Sequence, residues 1–220
     1  MKIEQITSSL LESNVFLLTK ENGVLLVDGG VEVDKIKPFV EGKKVEGLLL
    51  THGHFDHATY ALDYAKEFGC KIYAAIQIKE TLADPKINYS DGKFAVKDFS
   101  NFVFVEDGEE VQLGDFVVEP VSTPGHSKCS MCYLVDGHLF AGDTLFAVGM
   151  GRTDLVGGNG EELATSLEKI EKISFDNLYS GHGSNSTAKD QQLNIKACKR
   201  YLRAMLSKAT AEKKDDIENQ

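Results

Sequence analysis

The amino-acid sequence predicts an α/β fold with two β-sheets, and three observations carry that expectation. Apolar runs bounded by turn residues open the chain, a second series of such runs occupies residues 102–146, and stretches with apolar residues at helical spacing separate and follow them. The 220 residues are 42% hydrophobic and 26% charged, ordinary globular usage that excludes collagen-like, mucin-like and wholly disordered classes. At this length folding buries roughly 70% of the unfolded chain's surface, so one large domain needs no disulfides. A single domain over residues 1–207 is expected, followed by a charged tail, 208–220, that frays.

MKIEQITSS, NVFLLTK and GVLLVDGG read as strands, with Asn22 and Gly23 marking a hairpin turn between the last two. Residues 34–41 suit a short helix, and VEGLLLTH reads as a buried strand whose end delivers the first histidines. Ala58, Ala61, Leu62, Ala65 and Phe68 then fall at helical spacing, with Gly69 as a left-handed stop. KIYAAI is a further strand, followed by a polar stretch to about residue 90 that is a helix candidate and by a loop carrying Asp91 and Gly92. FVFVEDGE, VQL, FVVEPVSTPGH, SMCYLVDGH and LFAGDTLF are the strands of the second sheet. Leu163, Leu167 and Ile170 share one helix face in 161–173, NLYSGH returns as a strand, and 187–206 forms an amphipathic helix.

Charge and cysteine usage narrow the function. The net charge of −10 opposes a nucleic-acid partner, which calls for a basic surface. No apolar run is long enough for a signal peptide or a membrane span, and the four cysteines do not form the dense framework of a small secreted domain. A cytoplasmic protein without a membrane partner is expected. Cys129 and Cys132, three apart on an extended run, point to opposite faces and do not make a redox pair or a metal half-site.

The chemistry concentrates in THGHFDH, where His52, His54, Asp56 and His57 follow an apolar strand. Neutral imidazole with carboxylate is a ligand set for zinc, iron or manganese. His52 and His54 can face one ion while Asp56 and His57 face a neighbour, which suits a dinuclear site. His126 of TPGH, Asp143 of AGDT and His182 of SGHG also end apolar runs and are flanked by glycine, which allows the backbone close approach to an ion. His138 has no such setting and reads as an ordinary histidine. No glycine fingerprint for a dinucleotide and no nucleophile elbow is present.

Taken together, THGHFDH, TPGH, GDTLF and GHG resemble the metallo-β-lactamase superfamily over nearly residues 1–185, and AGDTLF with GRTD most resembles its short, glyoxalase II-like thioester hydrolases. The resemblance implies a four-layer αββα sandwich of two mixed sheets flanked by helices. It implies two divalent metal ions, zinc foremost with iron or manganese as alternatives. By it, His52, His54 and His126 bind one ion, Asp56, His57 and His182 the other, and Asp143 bridges both. Asp28 of LLVDGG is implied as a carboxylate that orients a ligand histidine. Arg152 and Asp154 of GRTD either shape the pocket rim or pair with each other.

The expected reaction is attack of a metal-bridging hydroxide on the carbonyl of a small acyl-thiol such as S-lactoylglutathione, with Asp56 and Asp143 at the reacting centre. A thiolate leaves without full protonation, so no separate general acid is required. Longer family members hold the glutathione carboxylates through a C-terminal helical domain, so the thiol carrier stays open here. The alternatives are a persulfide dioxygenase-like enzyme with one iron on His52, His126 and Asp143, and a metal-binding domain without turnover.

Overall fold

The structure, a computed structural model, describes residues 1–218, with side chains described through Lys208. The first half runs β1 (Lys2–Thr7), β2 (Asn14–Thr19), β3 (Gly23–Val27), α1 (Val33–Val40), β4 (Lys44–Leu49), α2 (Phe55–Ala58), α3 (Ala61–Phe68), β5 (Ile72–Ala74), α4 (Ile78–Ala83) and β6 (Phe102–Phe104). The second runs β7 (Val111–Leu113), β8 (Phe116–Ser122), β9 (Met131–Val135), β10 (His138–Gly142), α5 (Gly160–Ile170), β11 (Asn177–Ser180), β12 (Ser186–Thr187) and α6 (Ala188–Glu218). Two mixed sheets result, with strand orders β1-β2-β3-β4-β5-β6 and β12-β11-β10-β9-β8-β7.

Two-residue periodicity builds the layers. In β2, Val15 and Leu17 pack with the helices outside the first sheet, whereas Phe16 and Leu18 face the second sheet. β3 repeats this with Val24 and Leu26 outward and Leu25 and Val27 between the sheets. Such strands carry unbroken apolar runs, Val15–Leu18 and Val24–Val27, because both faces are covered. In β9 and β10, Tyr133 and Phe140 fill the space between the sheets, while Cys132, Leu139 and Ala141 lie against α5 and α6. The αββα sandwich is therefore the fold. Tyr133 ties the layers together, its buried hydroxyl donating to the carbonyls of Leu50 (3.1 Å) and Tyr73 (3.0 Å).

Local chemistry sets the ends of the elements. Gly69 stops α3 at φ +64, the left-handed cap expected. The Asn159 side chain accepts from the amides of Glu161 (2.9 Å) and Glu162 (3.2 Å), capping α5. Three boundaries differ from the sequence reading. The helix after the histidines is two pieces, α2 and α3, because the chain bends at Thr59 and Tyr60. The helix candidate reaching to about residue 90 is helical only over α4, Ile78–Ala83, and continues as turns. β9 begins at Met131, so Cys129 lies in the preceding turn. Cys129 still packs among the first sheet's outer side chains and Cys132 among those of the second, and both are free thiols. The expected tail, 208–220, lies outside the described side chains except for Lys208. Among the described residues no helix is long and apolar enough to cross a membrane.

Candidate metal centre

One edge of the sandwich receives every chemistry-bearing loop. β3 and β4 are parallel, so Asp28 and the run Thr51–His57 leave the first sheet side by side. β8, β10 and β11 run in one direction in the second sheet and release His126, Asp143 and His182 at their carboxyl ends. Parallel strand ends are where such folds place ligands. The β10–β11 register shifts between Phe140 and Gly142, and Gly142 at φ +49 turns the chain immediately before Asp143. Backbone crowding then demands glycine. A Cβ at Gly151 would strike the Asp143 carbonyl oxygen, and one at Gly181 the Asp143 Oδ1.

Outer hydrogen bonds fix which nitrogen each histidine presents. The Asp28 carboxylate accepts from His57 Nδ1 (2.8 Å), from the Thr51 amide (2.8 Å) and from the Thr51 hydroxyl (2.9 Å). Since Thr51 Oγ1 donates to Asp28, it accepts from His52 Nδ1, 3.1 Å away. His126 Nδ1 donates to the Arg152 carbonyl at 2.9 Å. In these three rings Nδ1 carries the proton, and Nε2 is the nitrogen left to bind or release one.

Those nitrogens converge in two groups. Donor atoms of His52, His54 and His126 all lie within 4.8 Å of one another, and so do those of Asp56, His57 and His182. Asp143 stands between the groups. Its Oδ2 is 3.6 Å from His126 Nε2 and 3.4 Å from His182 Nε2, and its Oδ1 is 3.4 Å from His57 Nε2. His52, His57 and Asp143 form a third such cluster. His52 Nε2, His54 Nε2 and Asp143 Oδ1 are buried without a hydrogen-bond partner, a costly state unless a cation compensates it. The donor set therefore fits divalent metal ions.

The electrostatics split the histidines in the same way. Burial, reinforced by the His126 charge, lowers the pKa of His54 to about 3, and burial with the charge of His57 holds His52 well below its ordinary value. For His57, burial opposes protonation but Asp143, Asp56 and Asp28 outweigh it and raise the pKa to about 9. At His182 burial is likewise outweighed by hydrogen bonds that its ring donates to the Asp143 and Asp56 carboxylates, and the pKa rises to about 10. Asp143 is pushed down: burial is overcome by the charge of His57 and the hydrogen bond from His182.

A family model described as "Metallo-beta-lactamase superfamily" matches residues 9–182. The chain belongs to that superfamily. Among its relatives, a "Probable metallo-hydrolase" of Bacillus subtilis, YqgX, is 35% identical over 201 residues, covering 87% of this chain and 95% of that protein. "Hydroxyacylglutathione hydrolase GloC" of Haemophilus influenzae is 29% identical over 198 residues, covering 85% and 93%. The crystal structure of BLEG-1, a B3 metallo-β-lactamase, superposes with a TM-score of 0.78 at 28% identity, covering 87% of this chain and 96% of that one. The superfamily assignment and the convergent His/Asp donors together support a metal-dependent hydrolase.

In this metallo-β-lactamase superfamily chain all seven ligand candidates meet at one edge, and Asp28 sits directly behind His57 and, through Thr51, behind His52. Arg152 and Asp154 do two things at once. Arg152 holds Asp154 through paired bonds of 2.7 and 2.6 Å, and it also lines the cavity over the centre. His138 lies elsewhere, beside Asn177. Several contributors escaped the sequence reading. Ser13 donates to the Asp56 carbonyl (2.7 Å), and Asn14 binds the carbonyls of Ser180 and Gly183 (both 3.0 Å), bracing the His182 loop. Tyr89, at φ +61, sets its ring edge-on to His54 and accepts the Val156 amide at 2.6 Å. None of these lies in a run with metal-ligand spacing, so composition carried no signal for them.

Proposed function

We propose that this protein is a thioester hydrolase that works with two divalent cations, zinc foremost with iron or manganese as alternatives. His52, His54 and His126 would hold one, Asp56, His57 and His182 the other, and Asp143, placed between the two groups, would serve both. The observation that carries the proposal is the position of Asp143 between two complete donor groups. A single-iron centre of the dioxygenase type needs only His52, His126 and Asp143 and gives no purpose to the convergence of Asp56 with His57 and His182. Kinship with a protein named hydroxyacylglutathione hydrolase supports a small acyl-thiol as the substrate.

Cations bound there supply an activated water and a Lewis acid for the substrate carbonyl. The chain's own residues prepare the site for them. Asp28 holds His57 directly and His52 through Thr51, so both rings are in place before any ligand arrives. Asp56 and Asp143 are lowered below the usual carboxylate pKa and so stay ionised at neutral pH, Asp56 through His57 and His182 against its burial. Apolar side chains of the cavity exclude bulk water from the reacting carbonyl. A departing thiolate requires no acid from the protein. No nucleic-acid partner is proposed, in keeping with the net charge of −10.

Thiol release from a panel of small acyl-thiols that includes S-lactoylglutathione, by protein loaded in turn with zinc, iron and manganese, tests the reading, with Asp143→Ala as the blank. Turnover that requires metal and disappears in Asp143→Ala is the expected result. Oxygen uptake on a persulfide with one equivalent of iron overturns it.

A further inference from the structure

The cavity above the metal centre has a volume of about 430 Å³, near the lower end for small-molecule sites. Away from the His/Asp cluster its wall is apolar: Leu11, Phe55, Tyr89, Phe146, Met150 and Leu155. Arg152 is the one guanidinium or ammonium among its described lining residues, and its Nε and Nη2 donate to the Asp154 carboxylate. That charge is matched before any substrate binds.

A second groove of about 400 Å³ adjoins the first. Met150, Gly151 and Arg152 line both, and the far side of the second is built by Tyr201, Leu202 and Met205 of α6. Tyr201 is 60% exposed and Met205 46%, large apolar surfaces open to solvent. Nearby cations of α6 are turned away: Lys199 binds Glu171 at 2.7 Å and Arg203 binds Glu168 at 3.2 Å. Among the described residues, the only charged side chains lining this groove are the mutually paired Arg152 and Asp154.

Building on the thioesterase reading, we propose that the groove between Met150–Asp154 and α6 binds the thiol carrier, and that this carrier is uncharged and apolar rather than a peptide dicarboxylate such as glutathione. The acyl group fills the first cavity, and the carrier crosses at Gly151, which lines both cavities. Among the described lining residues an anionic carrier meets no unpaired cation, so its carboxylates lose hydration without compensation. An apolar carrier buries the exposed faces of Tyr201 and Met205.

The test presents one acyl group on two carriers. Metal-loaded protein is given hexanoyl-N-acetylcysteamine and hexanoylglutathione, and binding of the inert thioethers S-hexyl-N-acetylcysteamine and S-hexylglutathione is measured by calorimetry. The expected result is a preference of about tenfold or more for the uncharged carrier in kcat/KM and in affinity, the scale of one or two buried methylenes. Tyr201→Lys and Met205→Lys, both at exposed positions, remove the apolar faces and supply a cation, and should abolish the binding preference with metal content unchanged. Equal or tighter binding of S-hexylglutathione, or indifference to both substitutions, overturns the carrier assignment. If neither ester is hydrolysed while the binding preference and its loss in the variants persist, the thioesterase reading falls and the ligand class of the groove stands.

Discussion

Asp28 Oδ2 lies 2.8 Å from His57 Nδ1, and both groups are fully enclosed. The same carboxylate reaches His52 through the Thr51 hydroxyl, so one residue orients a histidine in each of the two donor groups. Asp28 adopts φ +63, a conformation that Asn tolerates nearly as well as Asp. Asp28→Asn therefore keeps the backbone but replaces the negative oxygen facing His57 with an uncharged amide. Metal affinity should fall about 10–100-fold, the usual effect of losing such a partner, with the fold intact. Chelator competition together with circular dichroism checks it.

Gly181 gives a second prediction, from space alone. An alanine methyl there would overlap Asp143 Oδ1 and come within 2.8 Å of His57 Cε1 and of the Gly142 carbonyl carbon. Gly181 is not at positive φ, so the backbone itself accepts alanine. Gly181→Ala should displace Asp143 and abolish retention of the second equivalent of metal, as read by elemental analysis after gel filtration. Two equivalents retained would show that the β11 loop yields instead.

Most of the site was legible because its signal is local. Four donors within His52–His57, and three more at glycine-flanked strand ends, follow from residue type and spacing alone. The order of strands and helices was legible for a similar reason, since period-two and helical patterns are written in single segments. What stayed hidden depends on contacts distant in sequence. Tyr89 reaches His54 from a stretch without periodicity, and Ser13 and Asn14 brace Asp56 and the His182 loop across 43 and about 166 residues. The division at Thr59 and Tyr60 was equally invisible: Tyr60 donates its amide to the Gly29 carbonyl on a neighbouring strand end, a tertiary bond that overrides a continuous helical pattern.

Tyr133 links the two sheets in a way that stability measurements can read. Its hydroxyl serves the Leu50 and Tyr73 carbonyls from within the core, and the ring is fully buried. Tyr133→Phe preserves the packing and leaves those carbonyls without this donor. Leu50 and Tyr73 lie just upstream of, or beside, the loop that carries His52, so the loss falls near the site. A destabilisation of about 1–2 kcal/mol in urea unfolding is expected, the range for a buried hydrogen bond whose partner remains.

The two donor groups should separate under acid. In the metal-free protein His57 and His182, with pKa values of about 9 and 10, carry protons at pH 7.5. A cation that takes both must expel both, and each proton costs about 1.4 kcal/mol more for every unit the pH falls below its pKa. Affinity at Asp56, His57 and His182 should thus rise from pH 6 to pH 8, by up to about 100-fold per unit. His54, with its pKa lowered to about 3, is already neutral in that window, and burial holds His52 well below its ordinary value; burial also lowers His126, against the pull of Asp143, so this group depends less on pH. Lowering the pH from 8 to 6 should therefore strip the cation at His182 first and leave the one at His52, His54 and His126 in place. Calorimetric titration in buffers of differing protonation enthalpy would record release of up to two protons for the acid-sensitive equivalent and fewer for the other. Equal proton release at both would refute this electrostatic division of the centre.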